Sequence, residues 1–216
     1  MVVSLLAVEK LLAILEDNRR IRKSSLPSLT VKSSKKGLEI WNLKPVKRFF
    51  FEKSLGWIPR NTVAVFIPCS AWKPYPYSQS HKYGYLKALR PALHKIDLFV
   101  VSEPMGIVPY CYSDEYPVDR YDYDPNRFFI GKLRKPLVRK ALEIFTDRLA
   151  IWIKKYHNKY KKRILILPKS WHLKVFEKAL RKIGVSPDQY SVVTICGRAS
   201  NSVRQMQEQL QNIGLY

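Results

Sequence analysis

The chain predicts an α/β fold: a three-layer α/β/α sandwich built on a mostly parallel sheet of about four strands. Two observations carry this. Four short apolar runs, at residues 62–67, 97–101, 163–167 and 190–195, are rich in β-branched residues or leucine and end at turn signals. Such runs read as strands buried on both faces. Helical patterns separate them, and buried strands alternating with helices imply a parallel sheet covered on both sides. An apolar content of 46% supplies the core.

The elements follow in chain order. Residues 2–17 read as an amphipathic helix, because Glu9, Lys10, Glu16 and Asp17 interrupt its apolar face. The basic, serine-containing stretch after it, with Pro27, reads as a flexible arm or poorly ordered connector over 18–36. This divides the chain into residues 1–36, an N-terminal helix and linker, and residues 37–216, an α/β catalytic domain. Phe49, Phe50 and Phe51 read as core plus one exposed ring. After the first strand, Ser80 to Leu89 is helical until Pro91, with Ser80 as its N-cap. Residues 136–160 hold apolar side chains at the three-and-four spacing of one helix face. Residues 171–183 form another helix, closed by Gly184. The last runs from about Asn201 to Ile213 and ends at Gly214.

Charge narrows the function. The chain has 39 Lys+Arg against 17 Asp+Glu, a formal net charge of +22. That excess repels itself in the folded state, so a polyanionic partner is expected, nucleic acid before an anionic membrane. Residues 132–182 alone hold 17 Lys+Arg and 3 acids. Lys154, Lys155, Lys161, Lys162, Lys169 and Arg198 are therefore the expected RNA contacts. No stretch reads as a membrane span. The three cysteines, Cys69, Cys111 and Cys196, are odd in number and widely spaced, which argues against a disulfide framework and a structural zinc site. A reduced, cytoplasmic protein with no bound metal is expected.

In an open parallel sheet, ligands bind beyond the C-terminal ends of the strands. Here those ends read Pro68-Cys69-Ser70, Ser102-Glu103-Pro104, Pro168-Lys169-Ser170 and Cys196-Gly197-Arg198. The richest follows the first strand: Pro68-Cys69-Ser70-Ala71-Trp72-Lys73-Pro74-Tyr75-Pro76-Tyr77-Ser78-Gln79-Ser80-His81. Cysteine is the most nucleophilic side chain near neutral pH, and Lys73 four residues on would favour its thiolate. His81 offers an acid or base, or a phosphate contact at a helix start, and Ser78 and Ser80 precede that helix. The segment 113–124 holds five acids and one arginine. It offers a carboxylate to hold or deprotonate an amine.

The stretch from Pro68 to His81 resembles the signature of the archaeosine synthases, archaeal tRNA-modifying enzymes. Cys69, Ser70, Lys73, Pro74, Tyr75, Ser78, Ser80 and His81 fall in place, while Pro76 stands where a serine is expected. Residues 101–109 and 116–122 resemble two further segments of that family. The resemblance covers residues 62 to about 125 well. It implies a reaction: an amine, lysine in the family, adds to the nitrile of 7-cyano-7-deazaguanine carried in tRNA, giving an amidine. It implies free lysine as co-substrate and no cofactor in this chain. It also implies tRNA as partner, a radical-SAM partner enzyme, and a separate subunit carrying the transglycosylase and PUA regions. Within the family the fold resembles uracil-DNA glycosylase. Cys69, Lys73, His81 and Asp122 are then the expected catalytic residues. Ser70, Tyr75, Ser78, Ser80, Glu103 and Gly106 are the expected substrate contacts. Cys69 attacks the nitrile or contacts it, and Asp122 holds the amine. The alternatives are a non-catalytic tRNA-binding subunit and a glycosylase-like enzyme on another nucleic acid. The near-complete signature favours the enzyme, since a binding subunit has no need to hold Cys69 and Lys73 together.

Overall fold

The structure is a computed structural model. It describes residues 9, 12–13, 15–16, 29–30, 36–123, 134–168, 171–195 and 197–216. Glu9, Leu12, Ala13, Leu15 and Glu16 are helical, and Leu12 and Leu15 pack against the main core.

The central sheet has five strands: β2 (Val63–Pro68), β3 (Ile96–Ser102), β4 (Gly106–Pro109), β6 (Lys162–Leu165) and β7 (Ser191–Val192). Their spatial order is β4-β3-β2-β6-β7. Four of them are the runs expected from sequence, and their pairings β2–β3, β2–β6 and β6–β7 are parallel. β4 is an addition. It returns antiparallel beside β3, with Gly106 opposite Ser102 and Pro109 opposite Phe99. Gly106 makes the hairpin possible. Its φ is +88°, a conformation L side chains rarely adopt, and a Cβ there would meet the Phe50 ring at 3.3 Å. A second, two-stranded sheet pairs β1 (Leu29–Thr30) with β5 (Tyr121–Asp122). Part of the stretch expected to be a flexible connector is thus strand; most of the remainder lies outside the described residues.

The helices form two groups. α3 (Arg134–Tyr156) packs on α4 (Trp171–Lys182). α2 (Leu86–Leu89), which continues the helical turn His81–Tyr85, packs on α5 (Val203–Asn212). A short α1 (Lys44–Arg48) runs into a wider helical turn at Phe49–Ser54, where Phe49 and Phe50 are buried and Phe51 is exposed. The three-layer α/β sandwich expected from sequence is what the chain forms, with five strands rather than about four.

Phe66 of β2 anchors the core. Its ring stacks on Phe99 of β3, with centroids 5.3 Å apart, and meets the edge of Trp152 of α3 at 5.7 Å and Phe176 of α4 at 5.2 Å. One side chain thereby ties two strands to both helices of one layer, and aromatic packing of this kind adds to plain area burial. Gly184 and Gly214, expected to close α4 and α5, both take positive φ.

Candidate active site

The C-terminal ends of the parallel strands carry the site. β2 and β3 are hydrogen-bonded neighbours in register, and the Cys69 amide continues the ladder by donating to the Val101 carbonyl at 3.1 Å. Cys69 and Glu103 therefore leave the sheet side by side. The Cys69 Sγ lies 3.8 Å from Glu103 Oε2. α4 starts from the end of β6 by way of Pro168, and its second residue, His172, completes the group. His172 Nε2 lies 3.5 Å from Cys69 Sγ and 3.2 Å from Glu103 Oε2. Glu103 and His172 are buried and Cys69 is half-buried.

Cys69 and His172 open on a cavity of about 320 Å³; Glu103, bonded to both, is not part of its lining. Ser80, Ile195, Gly197 and Arg198 also line it. The far wall depends on Gly84. A Cβ there would sit 2.7 Å from the Ala199 backbone carbon, so only glycine lets the helical turn His81–Tyr85 approach residues 197–200 this closely.

Burial alone would lower the His172 pKa. Glu103 and then Cys69 outweigh it, and the imidazole is held up at about 10. The Trp171 ring stacks on it at 4.0 Å and fixes its plane. His172 stands two residues beyond the strand end Pro168-Lys169-Ser170 expected at the site. In the sequence it is a lone histidine in the first turn of a helix, with no motif around it.

His81 is placed differently from expectation. It is fully buried, and its Nε2 donates to the Pro68 carbonyl at 3.0 Å. Its Nδ1 then accepts from the Tyr110 hydroxyl at 3.0 Å. Tyr75 and Tyr110 stack on it at 5.2 and 5.7 Å. Burial lowers its pKa to about 3, against a smaller opposing effect of the Pro68 bond. A neutral imidazole with both nitrogens engaged holds the end of β2 in place beneath Cys69. Ser78, not Ser80, caps the helical turn, since its Oγ accepts from the His81 amide at 3.3 Å, while Ser80 faces the cavity.

Lys73 folds back over its own loop. Its Nζ donates to the Ser70 carbonyl at 2.7 Å and stands 4.1 Å above the Tyr121 ring. Ser70 Oγ accepts from the Trp72 amide at 3.2 Å, which closes the turn after Cys69. Below Lys73, the hydroxyls of Tyr75, Ser102 and Tyr121 bond to one another in a buried cluster. Burial pushes both tyrosines well above their ordinary pKa, so they remain neutral donors. The cluster ties β5 to the residue before Glu103. Asp122 is the second residue of β5, and its side chain lies outside the described residues, as do Lys169 and Cys196. Gly106 is buried under Phe50 and Arg148, a hairpin residue rather than a cavity wall.

The basic residues divide. Arg198 is exposed at the cavity. Lys162 is level with Val63, at the opposite end of β2 from Cys69. Five residues of strand put these ends about 17 Å apart. Lys154, Lys155 and Lys161 belong to that far end, where α3 finishes and β6 begins. Two of these lysines have structural partners: Lys155 donates to the Leu55 carbonyl at 2.6 Å, and Lys162 to the carbonyls of Ile213 and Gly214 after α5. Cys111 is a free thiol that burial pushes up to about 11. Among the described residues no helix is long and apolar enough to cross a membrane.

Residues 46–128 match the model of a family described as a domain of unknown function, DUF5591. Cys69 and Glu103 fall inside that stretch and His172 outside it. The archaeosine synthase subunit alpha of Thermoplasma acidophilum is 30% identical over 112 residues, 51% of this chain and 19% of that protein. The archaeosine synthase of Methanocaldococcus jannaschii is 34% identical over 68 residues, 32% of this chain and 12% of that one. The matched stretches are thus less than a fifth of either relative. Among solved structures, that of AF0587, titled a protein of unknown function, aligns over 77% of this chain and 49% of its own, with 16% identity and a TM-score of 0.44. The chain is thus similar, over part of its length, to two archaeosine synthases, and Cys69 and Glu103 lie within the stretch that matches the family model.

Proposed function

We propose that this chain modifies tRNA by adding an amine to the nitrile of 7-cyano-7-deazaguanine, forming an amidine. One observation carries the reading: Cys69, Glu103 and His172 converge to within 3.2–3.8 Å of one another at the mouth of a cavity. Three reactive groups brought together by β2, β3 and α4 have no packing purpose that apolar side chains would not serve better. That favours an enzyme over a binding subunit.

The reaction is an addition. The amine lone pair bonds to the nitrile carbon, one N–H bond of the amine breaks, and the nitrile nitrogen gains a proton; nothing leaves and no oxidant is needed. A nitrile is a weak electrophile, so the site must draw electron density toward its nitrogen. The trio is the place for that nitrogen. The amine enters from the β5 side, where Asp122 follows the Tyr75–Ser102–Tyr121 hydroxyl cluster, and Asp122 takes its proton. Free lysine is the amine. Lys73, held over Tyr121, is a fixed positive charge beside the base or its phosphate. Arg198 at the rim takes a tRNA phosphate, and the net charge of +22 draws the polyanion in.

The Thermoplasma acidophilum relative is described as a subunit. In this reading the chain likewise works beside a subunit that carries transglycosylase and PUA regions, and a radical-SAM enzyme consumes the amidine.

The test is mass spectrometry of nucleosides from nitrile-bearing tRNA after incubation with the protein and candidate amines. The reading expects a product heavier by one lysine, absent with His172→Ala. A nitrile nucleoside that persists with every amine would count against it.

A further inference from the structure

Along the chain no ligand pair stands at metal spacing. The fold assembles one from three separate stretches. We propose that Cys69, Glu103 and His172 form a divalent-cation site, suited to zinc, whose fourth position opens to the cavity. The proposal rests on the reading of this trio as the reacting centre and adds what it holds.

The geometry comes first. Zinc binds thiolate sulfur at about 2.3 Å and histidine nitrogen or carboxylate oxygen at about 2.0–2.2 Å, tetrahedrally. Those lengths place the three donors about 3.3–3.6 Å apart. The observed separations are 3.2 Å between His172 Nε2 and Glu103 Oε2, 3.5 Å between Nε2 and Sγ, and 3.8 Å between Sγ and Oε2. All three donor atoms lie within 4.8 Å of one another. The same nitrogen, Nε2, faces both the sulfur and the carboxylate. In a nucleophile–base–orienter chain the carboxylate would instead hold the far nitrogen of the ring. A closed triangle of donors on one point is a ligand set.

Charge and ligand type agree. As ligands, a thiolate and a carboxylate would bring two negative charges that a divalent cation neutralises, and the imidazole would give up the proton it holds beside Glu103 when the cation binds. A sulfur, a nitrogen and an oxygen together suit zinc rather than magnesium or calcium, which take oxygen donors. Three protein ligands with one open position are the pattern of a catalytic zinc. The open position faces the cavity, where a nitrile nitrogen would donate its lone pair and leave its carbon open to the amine. With the sulfur engaged as a ligand, the amine adds directly and no thioimidate forms.

The test uses the full chain, stripped with a chelator and titrated with zinc chloride. We expect one zinc per chain by elemental analysis. Cys69→Ala, His172→Ala and the isosteric Glu103→Gln should each weaken binding by at least the 10–100-fold that losing an outer partner of a metal ligand costs. Cobalt in place of zinc should give a thiolate charge-transfer absorption that Cys69→Ala abolishes, with circular dichroism confirming that the variants fold. No stoichiometric zinc, or zinc unaffected by Cys69→Ala, overturns the proposal. The two readings separate cleanly. If the stripped chain converts the nitrile at full rate, the metal inference fails and the proposed function stands. If zinc binds to this trio but no amidine forms with any amine, the metal inference stands and the proposed function fails.

Discussion

Replacing Arg148 with methionine should destabilise the protein through the turn that carries Glu103. Arg148 lies in α3 with only 9% of its surface exposed, and no carboxylate pairs with it among the described residues. Burial lowers its pKa to about 10. Its guanidinium donates to the Pro104 carbonyl at 2.7 Å and the Trp41 carbonyl at 2.5 Å, and it stacks against Trp41 and Phe50 at about 5 Å. Methionine replaces the aliphatic stem with an apolar chain but stops short of the guanidinium carbon that faces both rings. It leaves two buried carbonyls without this donor, at about 1–3 kcal/mol each. Releasing the arginine from burial offsets part of that loss, so about 2–4 kcal/mol should remain. For a chain of this size that lowers the melting temperature by roughly 4–16 °C. Scanning calorimetry reads it. Because Pro104 follows Glu103 directly, zinc affinity should fall as well. A variant as stable as the parent would show that the two hydrogen bonds only repay the burial of the charge.

Three further outcomes are expected. Gly84→Ala forces a methyl against the Ala199 backbone and should cost about 1–3 kcal/mol in urea unfolding while widening the cavity, which a crystal structure of the variant would show. Phe66→Ala removes the ring that joins two strands to two helices and should cost about 3–5 kcal/mol by the same measurement. If tRNA meets the chain at the cavity rim, Arg198→Glu should weaken tRNA binding more than Lys154→Glu or Lys161→Glu in a filter-binding series over salt concentration; the reverse order would put the RNA at the other end of the sheet.

Much of this was legible in the sequence, and the misses share a cause. Of the four parallel strands, β2 and β3 are almost wholly buried runs, and burial on both faces leaves a clear pattern, while β6 is half buried and β7 is an edge strand whose Val192 is exposed. β4 was missed because Gly106-Ile107-Val108-Pro109 is too short to show a period and ends in proline; its pairing depends on β3 and on the left-handed Gly106. Cys69 and Glu103 were legible as a pair because each directly follows a strand. His172 was not, because its place depends on how α4 sets off from β6. Basic residues at 154–162 were counted as one surface with Arg198, and charge counting cannot tell the two ends of a sheet apart. His81 was read as reactive from its type, whereas its engaged nitrogens are a property of the packing around it.

The most direct measurement of the central claim is the infrared nitrile band of 7-cyano-7-deazaguanine in tRNA, bound to the zinc-loaded protein with no amine present. Coordination of the nitrile nitrogen at Cys69, Glu103 and His172 predicts a band that persists and moves to higher frequency, and that returns to its free position with Cys69→Ala. A band at the free position in the parent complex would show that the nitrile never meets the trio. A band that vanishes would mean that Cys69 has added to the carbon, and would contradict the cation site.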